Sequence, residues 1–336
     1  MADLRTTITE VVTGLGMTGA DDVDSGLASR PEPLVDVSTR VWNQLTDAWS
    51  HPTNRQAFVA AWTNGRRFLD ARDGLRGRVP LLIEWKGSHR QPGDEVVPAD
   101  LRVDHVYLVS CKYLSQIVIN ASPAHLFERL LAGGHGARGG DWYQLVAREE
   151  HDALYASVRK EIELDDMPDR VTELTAADRR IVRDALRGRA WPTRQLEAQY
   201  AELTDAVACE SARVWRAAME RDRDRERMLW RLLRIGSAPY FVLGSSAAGS
   251  LRLRIATPWD WRQEFELRAF DVEARPGGQP MVGWRAVVRR RSGREELPVE
   301  GRVEIRWSHG RFGGAPEAKV YLHTPHTQVP GYFPLV

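Results

Sequence analysis

Two of the chain's lysines stand where a charge is expensive. Val79-Pro-Leu-Leu-Ile-Glu-Trp-Lys86 and Val103-Asp-His-Val-Tyr-Leu-Val-Ser-Cys-Lys-Tyr113 both read as short, mainly apolar strands, and each carries acids close to its lysine. Strand side chains alternate, so Glu84 and Lys86 share one face, as do Asp104, Val106, Leu108, Ser110 and Lys112. Asp100 lies just upstream, after Pro98. A charged group in such a strand needs a partner or an ion. Carboxylates with an ammonium beside them suit chemistry at a phosphate. Mg²⁺ or Mn²⁺ takes oxygen ligands from one or two carboxylates and the substrate, and the ammonium offsets charge building on the phosphoryl oxygens. The lysines also stand out by rarity: Lys86, Lys112, Lys160 and Lys319 are the only four, among 47 Lys and Arg in total. Arginine replaces lysine on most surfaces, but not where a compact point charge is required.

Helical patterns over Val37 to Trp49 and Thr53 to Leu69 precede these strands. Residues 88–100 form a loop between them, and Ser122-Pro123 starts a helix that carries Glu128. This order of helix, strands and helix resembles the core of the PD-(D/E)XK nucleases, the superfamily of many restriction and repair endonucleases, over about residues 36 to 135. The family's motif is an acid, a spacer, then (Asp/Glu)-x-Lys at the end of a strand. Two registers fit. In one, Asp73 precedes Glu84-Trp85-Lys86. In the other, Glu84, Asp100 or Asp104 precedes Ser110-Cys111-Lys112. Ser110 departs from the pattern, and the resemblance then implies that Glu128 supplies the missing acid. It further implies Lys112, Lys86, Glu84 and Asp104 as catalytic residues, Glu84, Asp100, Asp104 and Glu128 as metal ligands, and a Mg²⁺-dependent (or Mn²⁺-dependent) endonuclease acting on DNA in restriction, phage defence or repair. The same fold without cleavage, as a nucleic-acid-binding protein, or a structural protein built on the charged helix, are the alternatives. Each acid also has a plainer role open to it: Glu84 in an edge-strand ion pair, Asp104 as a cap, Asp73 in a turn, Glu128 on a solvated helix face.

The whole chain reads as an α/β protein with a restriction-endonuclease-like core, a helical middle segment and a β-rich carboxy-terminal domain. The expected segments are 1–35 (amino-terminal segment and linker), 36–145 (core), 146–235 (helical, ending in the charged run ERDRDRERMLWRLLR) and 236–336 (β-rich). Trp259 and Trp261 with Arg289, Arg290 and Arg291 in the last segment are candidates for stacking bases and holding phosphates.

Composition narrows the rest. A hydrophobic fraction of 43% with 28% charged residues is that of a folded protein, and no apolar run reaches the roughly 20 residues of a membrane span. A cytoplasmic protein is expected, with a second copy or a defence-system protein as further partners. Net charge of +1 gives no global attraction to nucleic acid, so any such surface is local. Cys111 and Cys209 match no zinc spacing. Gly133 to Gly140 lacks the Lys-Ser/Thr of a phosphate loop, and Gly244 to Gly249 lacks the Gly-x-Ser-x-Gly elbow.

Overall fold

The computed structural model describes residues 4–87, 99–113, 117–129, 140–164, 166–188, 190–236, 239–246, 249–275 and 277–336. Most of the loop expected between the two lysine strands, Pro98 included, and Gly133 to Gly139 lie outside them. The strands in chain order are β1 (Leu34–Val35), β2 (Ile83–Trp85), β3 (Leu101–Val103), β4 (Tyr107–Tyr113), β5 (Ile117–Ala121), β6 (Tyr240–Ser246), β7 (Gly249–Ile255), β8 (Phe265–Ala274), β9 (Met281–Arg290), β10 (Glu296–Arg306), β11 (Glu317–Leu322) and β12 (Tyr332–Pro334). They form a mixed sheet in the order β1-β2-β3-β4-β6-β7-β12 and an antiparallel sheet in the order β5-β11-β10-β9-β8. The chain is thus mixed α/β, in two discontinuous units: residues 1–115, 234–265 and 326–336 form unit one, and 116–233 with 266–325 form unit two.

Unit one is organised by its amino terminus. The expected linker over 1–35 is instead part of the core, because Ile8, Val11, Val12 and Leu15 of the helix Leu4–Gly16 are fully buried. That helix crosses the helix Pro52–Asp70 at close range: a Cβ on Gly65 would come within 2.0 Å of the Thr13 carbonyl oxygen. Both helices cover one face of the mixed sheet, whose Ile83, Leu101, Val103, Val109, Phe241 and Leu243 join their apolar residues in one cluster. Phe68 sits edge-on to Phe241 at 4.8 Å, and burying such a ring contributes about 2–3 kcal/mol.

In unit two the five-stranded sheet accompanies the helices Trp142–Val146, Arg148–Glu161, Ala176–Ala185, Arg194–Ala218 and Asp222–Leu232. The middle of the chain is helical as its pattern suggests. The charged run forms one helix, Asp222–Leu232, separated from the long helix that ends at Ala218, but it is not solvated all round, because Met228, Leu229 and Leu232 are buried. Tyr143, Trp307 and Phe312 surround His151, and burial lowers its imidazole pKa to about 3, so it is a neutral core residue. The carboxy-terminal third is β-rich but does not form a separate domain: β6, β7 and β12 complete the sheet of unit one, and β8 to β11 build that of unit two.

Candidate active site

Strand register sets the geometry. β2 and β3 are antiparallel with Glu84 opposite Arg102 and Trp85 opposite Leu101, and β3 and β4 are antiparallel with Leu101 opposite Val109. One step further, the Lys86 N–H donates to the Asp100 carbonyl (3.0 Å) and the Asp100 N–H donates to the Val109 carbonyl (2.9 Å). Lys86, Asp100 and Ser110 therefore lie in a row across three strands and, being opposite, project from the same face. Lys112 follows two residues on, and the apolar face beneath carries Leu101, Val109 and Cys111 into the core.

Asp100 is the acid of this row. Its Oδ2 accepts a hydrogen bond from the Ser110 hydroxyl (3.1 Å) and another from the Cys111 N–H (2.6 Å). Both donors are neutral, and only one of the two carboxylate oxygens takes part. Burial pushes the Lys112 ammonium below the usual lysine range, Asp100 opposes that shift, and Arg234 adds to it. Lys86 is 7% exposed and lies 3.4 Å from Glu84. β6 runs parallel to β4 with Gly244 beside Lys112, and only glycine fits there: a Cβ would lie 1.9 Å from the Lys112 carbonyl oxygen.

The other acids are placed differently. Glu84 is held by Arg102 in a two-pronged pair (2.5 and 2.6 Å), with the His105 Nδ1 at 3.4 Å, and the Arg102 hydrogen bond keeps its carboxyl below the usual range. Asp104 accepts from the N–H groups of Leu81 (2.8 Å) and Leu82 (2.9 Å), at a turn where it and His105 both have positive φ. It fixes the start of β2. Lys112 is five residues beyond Tyr107, the partner of Val103, and is therefore about 17 Å along β4 from that turn. Asp73 is 3.7 Å from Arg254 and its N–H donates to the Val336 carbonyl. Glu128 is exposed on the turn His125–Arg129 of unit two, which Ser122 caps through the His125 N–H. The structure thus brings together Lys86, Asp100, Ser110 and Lys112, and engages Asp104 and Asp73 in turns. Cys111 is buried and burial pushes its thiol well up, which removes it as a nucleophile.

Two residues near this row escaped the sequence pattern. Tyr240, opposite Leu108 on β6, lies near enough to Ser110 to feel its hydroxyl, and Arg234 is near enough to act on Lys112, Tyr240 and Tyr332. They lie more than 120 residues after Ser110, with no local signal to connect them.

The expected nucleic-acid surface separates into unlike parts. Trp261 is fully buried, with its Nε1 donating to the Pro330 carbonyl (3.2 Å), whereas Trp259 is 71% exposed. Arg289 and Arg291 pair with Glu266, and Arg290 with Glu295 at 3.5 Å.

Among the described residues no group of three or more His, Cys, Asp or Glu side chains gathers as a metal site. Asp100 is the one carboxylate of the row Lys86, Asp100, Ser110 and Lys112, so a hard divalent cation held there would take a single charged ligand from the row and its remaining positions from water and substrate oxygens. No protein-family model, no curated protein and no solved structure matches this chain.

Proposed function

We propose that the chain is a metal-dependent nuclease that hydrolyses phosphodiester bonds, DNA first among its substrates, with Asp100, Ser110 and Lys112 as the centre of its site. The observation that carries this is the row itself: an acid at the start of β3 faces Ser-x-Lys near the end of β4, at 3.1 Å from the serine hydroxyl. This supports the register with Asp100 as first acid, the arrangement expected for the PD-(D/E)XK resemblance. A bound Mg²⁺ or Mn²⁺ would supply Lewis-acid charge beside the scissile phosphate and a more acidic water. Asp100 would hold that ion, and Lys112 would donate to the phosphoryl oxygens as their charge grows. Lys86 adds a second cation to the row. Ser110 restrains Asp100 through its hydroxyl. Cleavage of plasmid or oligonucleotide should require Mg²⁺ or Mn²⁺ and stop in chelator, and undiminished cleavage in chelator overturns the proposal.

A second reading, a nucleic-acid-binding protein of this fold that does not cleave, is favoured by Ser110 in the place of an acid and by Glu84 being already bound to Arg102. Titration with Mn²⁺ by calorimetry separates the two: the nuclease binds the ion and loses it in Asp100→Asn, whereas the binding protein takes up none.

A further inference from the structure

Unit two contains a cleft of about 890 Å³ that the proposed nuclease site does not use. Its walls come from the end of the helix Ala176–Ala185 and the turn after it, from the helix Arg194–Ala218, and from the chain that leaves β10. Four guanidinium groups line it, those of Arg183, Arg187, Arg306 and Arg311, against a single lining carboxylate, Asp184. That carboxylate is already committed to Arg183 at 2.8 Å. Arg306 leans on Glu304 at 3.6 Å, which also holds Arg302 at 2.9 Å. Arg187 is exposed and has no acidic partner among the described residues. Arg311 lies over the Trp191 ring, 3.9 Å from its centroid, and donates to the Ala190 carbonyl, so its guanidinium is fixed in place and partly removed from water.

With Arg183 answered by Asp184, Arg187, Arg306 and Arg311 bring three guanidinium groups from separate segments to one cleft, and an anion there would offset their mutual repulsion. Planar guanidinium forks match phosphate oxygens in pairs. The same cleft is lined by the rings of Tyr200 and Trp307, half-buried and within 22° of parallel, which offer aromatic surface beside the cations. A volume of this size holds a small ligand and would be oversized for phosphate alone.

We infer that this cleft binds a phosphorylated nucleoside, with the phosphates on Arg187 and Arg306 and the base against Tyr200 and Trp307. A free nucleotide and the 5′-terminal nucleotide of a strand present this same chemistry. The site stands apart from the nuclease proposal, since it needs no metal and no cleavage.

Calorimetry on the full chain in chelator tests it with ATP, adenosine, inorganic pyrophosphate and a short single-stranded DNA with or without a 5′-phosphate. ATP should bind more tightly than either adenosine or pyrophosphate. The pair Arg187→Ala with Arg306→Ala should weaken ATP about tenfold or more while the thermal midpoint stays near that of the parent. Tighter binding of the 5′-phosphorylated strand than of ATP identifies a strand end as the ligand, and the reverse identifies a free nucleotide. Absence of binding by both ATP and the phosphorylated strand, or an unchanged affinity in the double variant, overturns the inference. Equal affinity for pyrophosphate and ATP overturns its aromatic half. Because chelator removes metal-dependent cleavage and the variants lie in unit two, none of these outcomes depends on whether Asp100 and Lys112 form a nuclease.

Discussion

Glu84 and Asp100 project from one face of adjacent strands, yet their surroundings differ in kind. Glu84 is saturated by charge: both its oxygens meet Arg102, and Lys86 and His105 stand at 3.4 Å. Asp100 is restrained by a hydroxyl and a backbone N–H on one oxygen, with the Lys112 ammonium near enough to feel its charge. An acid enclosed by cations stabilises a fold and has little left to offer an ion. An acid held by neutral donors keeps its full charge for one. Under the proposed function the chemistry would fall to Asp100 and the architecture to Glu84, a division that experiment can break.

The largest expected effect is on rate. Asp100→Asn and Lys112→Ala should each lower cleavage by about 10²-fold or more, in line with loss of one preorganised charged group, while near-native thermal midpoints persist. Lys86→Ala should cost less. If Lys86→Ala were the more damaging in folded protein, the chemistry would belong to Glu84-Trp85-Lys86.

Arg102→Ala tests the architectural side. Removing one member of a largely buried pair leaves Glu84 with weaker partners, and the cost to stability should be about 2 kcal/mol, below that of a fully buried pair because Arg102 is one-third exposed. Chemical denaturation measures it. Cleavage measured well below the new midpoint should be close to that of the parent, and a loss comparable to that of Lys112→Ala would make Glu84 part of the reacting site.

Much of this face was legible in the sequence. Alternation in Val103 to Tyr113 and the apolar run before Glu84 identify strands, and period two places Glu84 with Lys86 and Ser110 with Lys112. Which acid faces which lysine was not legible. That depends on pairing across 15 intervening residues, and a one-residue slip would have turned Asp100 into the core. The part played by the amino-terminal helix was hidden for a related reason: the partners that bury Ile8 and Val11 are contributed by distant strands. Trp261 resembled a stacking platform until its Nε1 was found on the Pro330 carbonyl, 69 residues away. Arg289 and Arg291 resembled a free basic run because Glu266 precedes them by more than 20 residues.

pH separates the same two acids through their cationic partners. The carboxyl of Glu84 is held below its ordinary value, so its contribution to stability is present above about pH 4.5 and is lost as pH falls through the lower, folded value. Lys112 responds at the other end. Its folded pKa lies below the ordinary 10.5, so between the two values the unfolded chain binds more protons and stability rises with pH, while cleavage falls as the ammonium is lost. A rate that declines on the alkaline side before the ordinary lysine range, with no parallel loss of thermal midpoint, is the expected profile. A rate unchanged up to that range would remove Lys112 from the chemistry.

Ser110 gives the smallest effect and the finest distinction. In Ser110→Ala the carboxylate of Asp100 loses one neutral donor and keeps the Cys111 N–H, so the cost should be about 1–2 kcal/mol of stability and less than tenfold in rate. Ser110→Asp puts a second carboxylate within hydrogen-bonding reach of the first. Without metal the two repel, one carboxyl titrates upward, and the fold should lose stability at neutral pH. With Mn²⁺ the pair becomes a two-carboxylate ligand set, and calorimetry should show tighter binding of the ion than in the parent. Destabilisation in chelator with recovery in Mn²⁺ would therefore mean that this row lies at an ion site, and that serine limits the ion's affinity without taking part in the reaction. A Ser110→Ala variant as slow as Asp100→Asn would make the hydroxyl itself a reacting group, and the division between Asp100 and Glu84 would have to be redrawn around it.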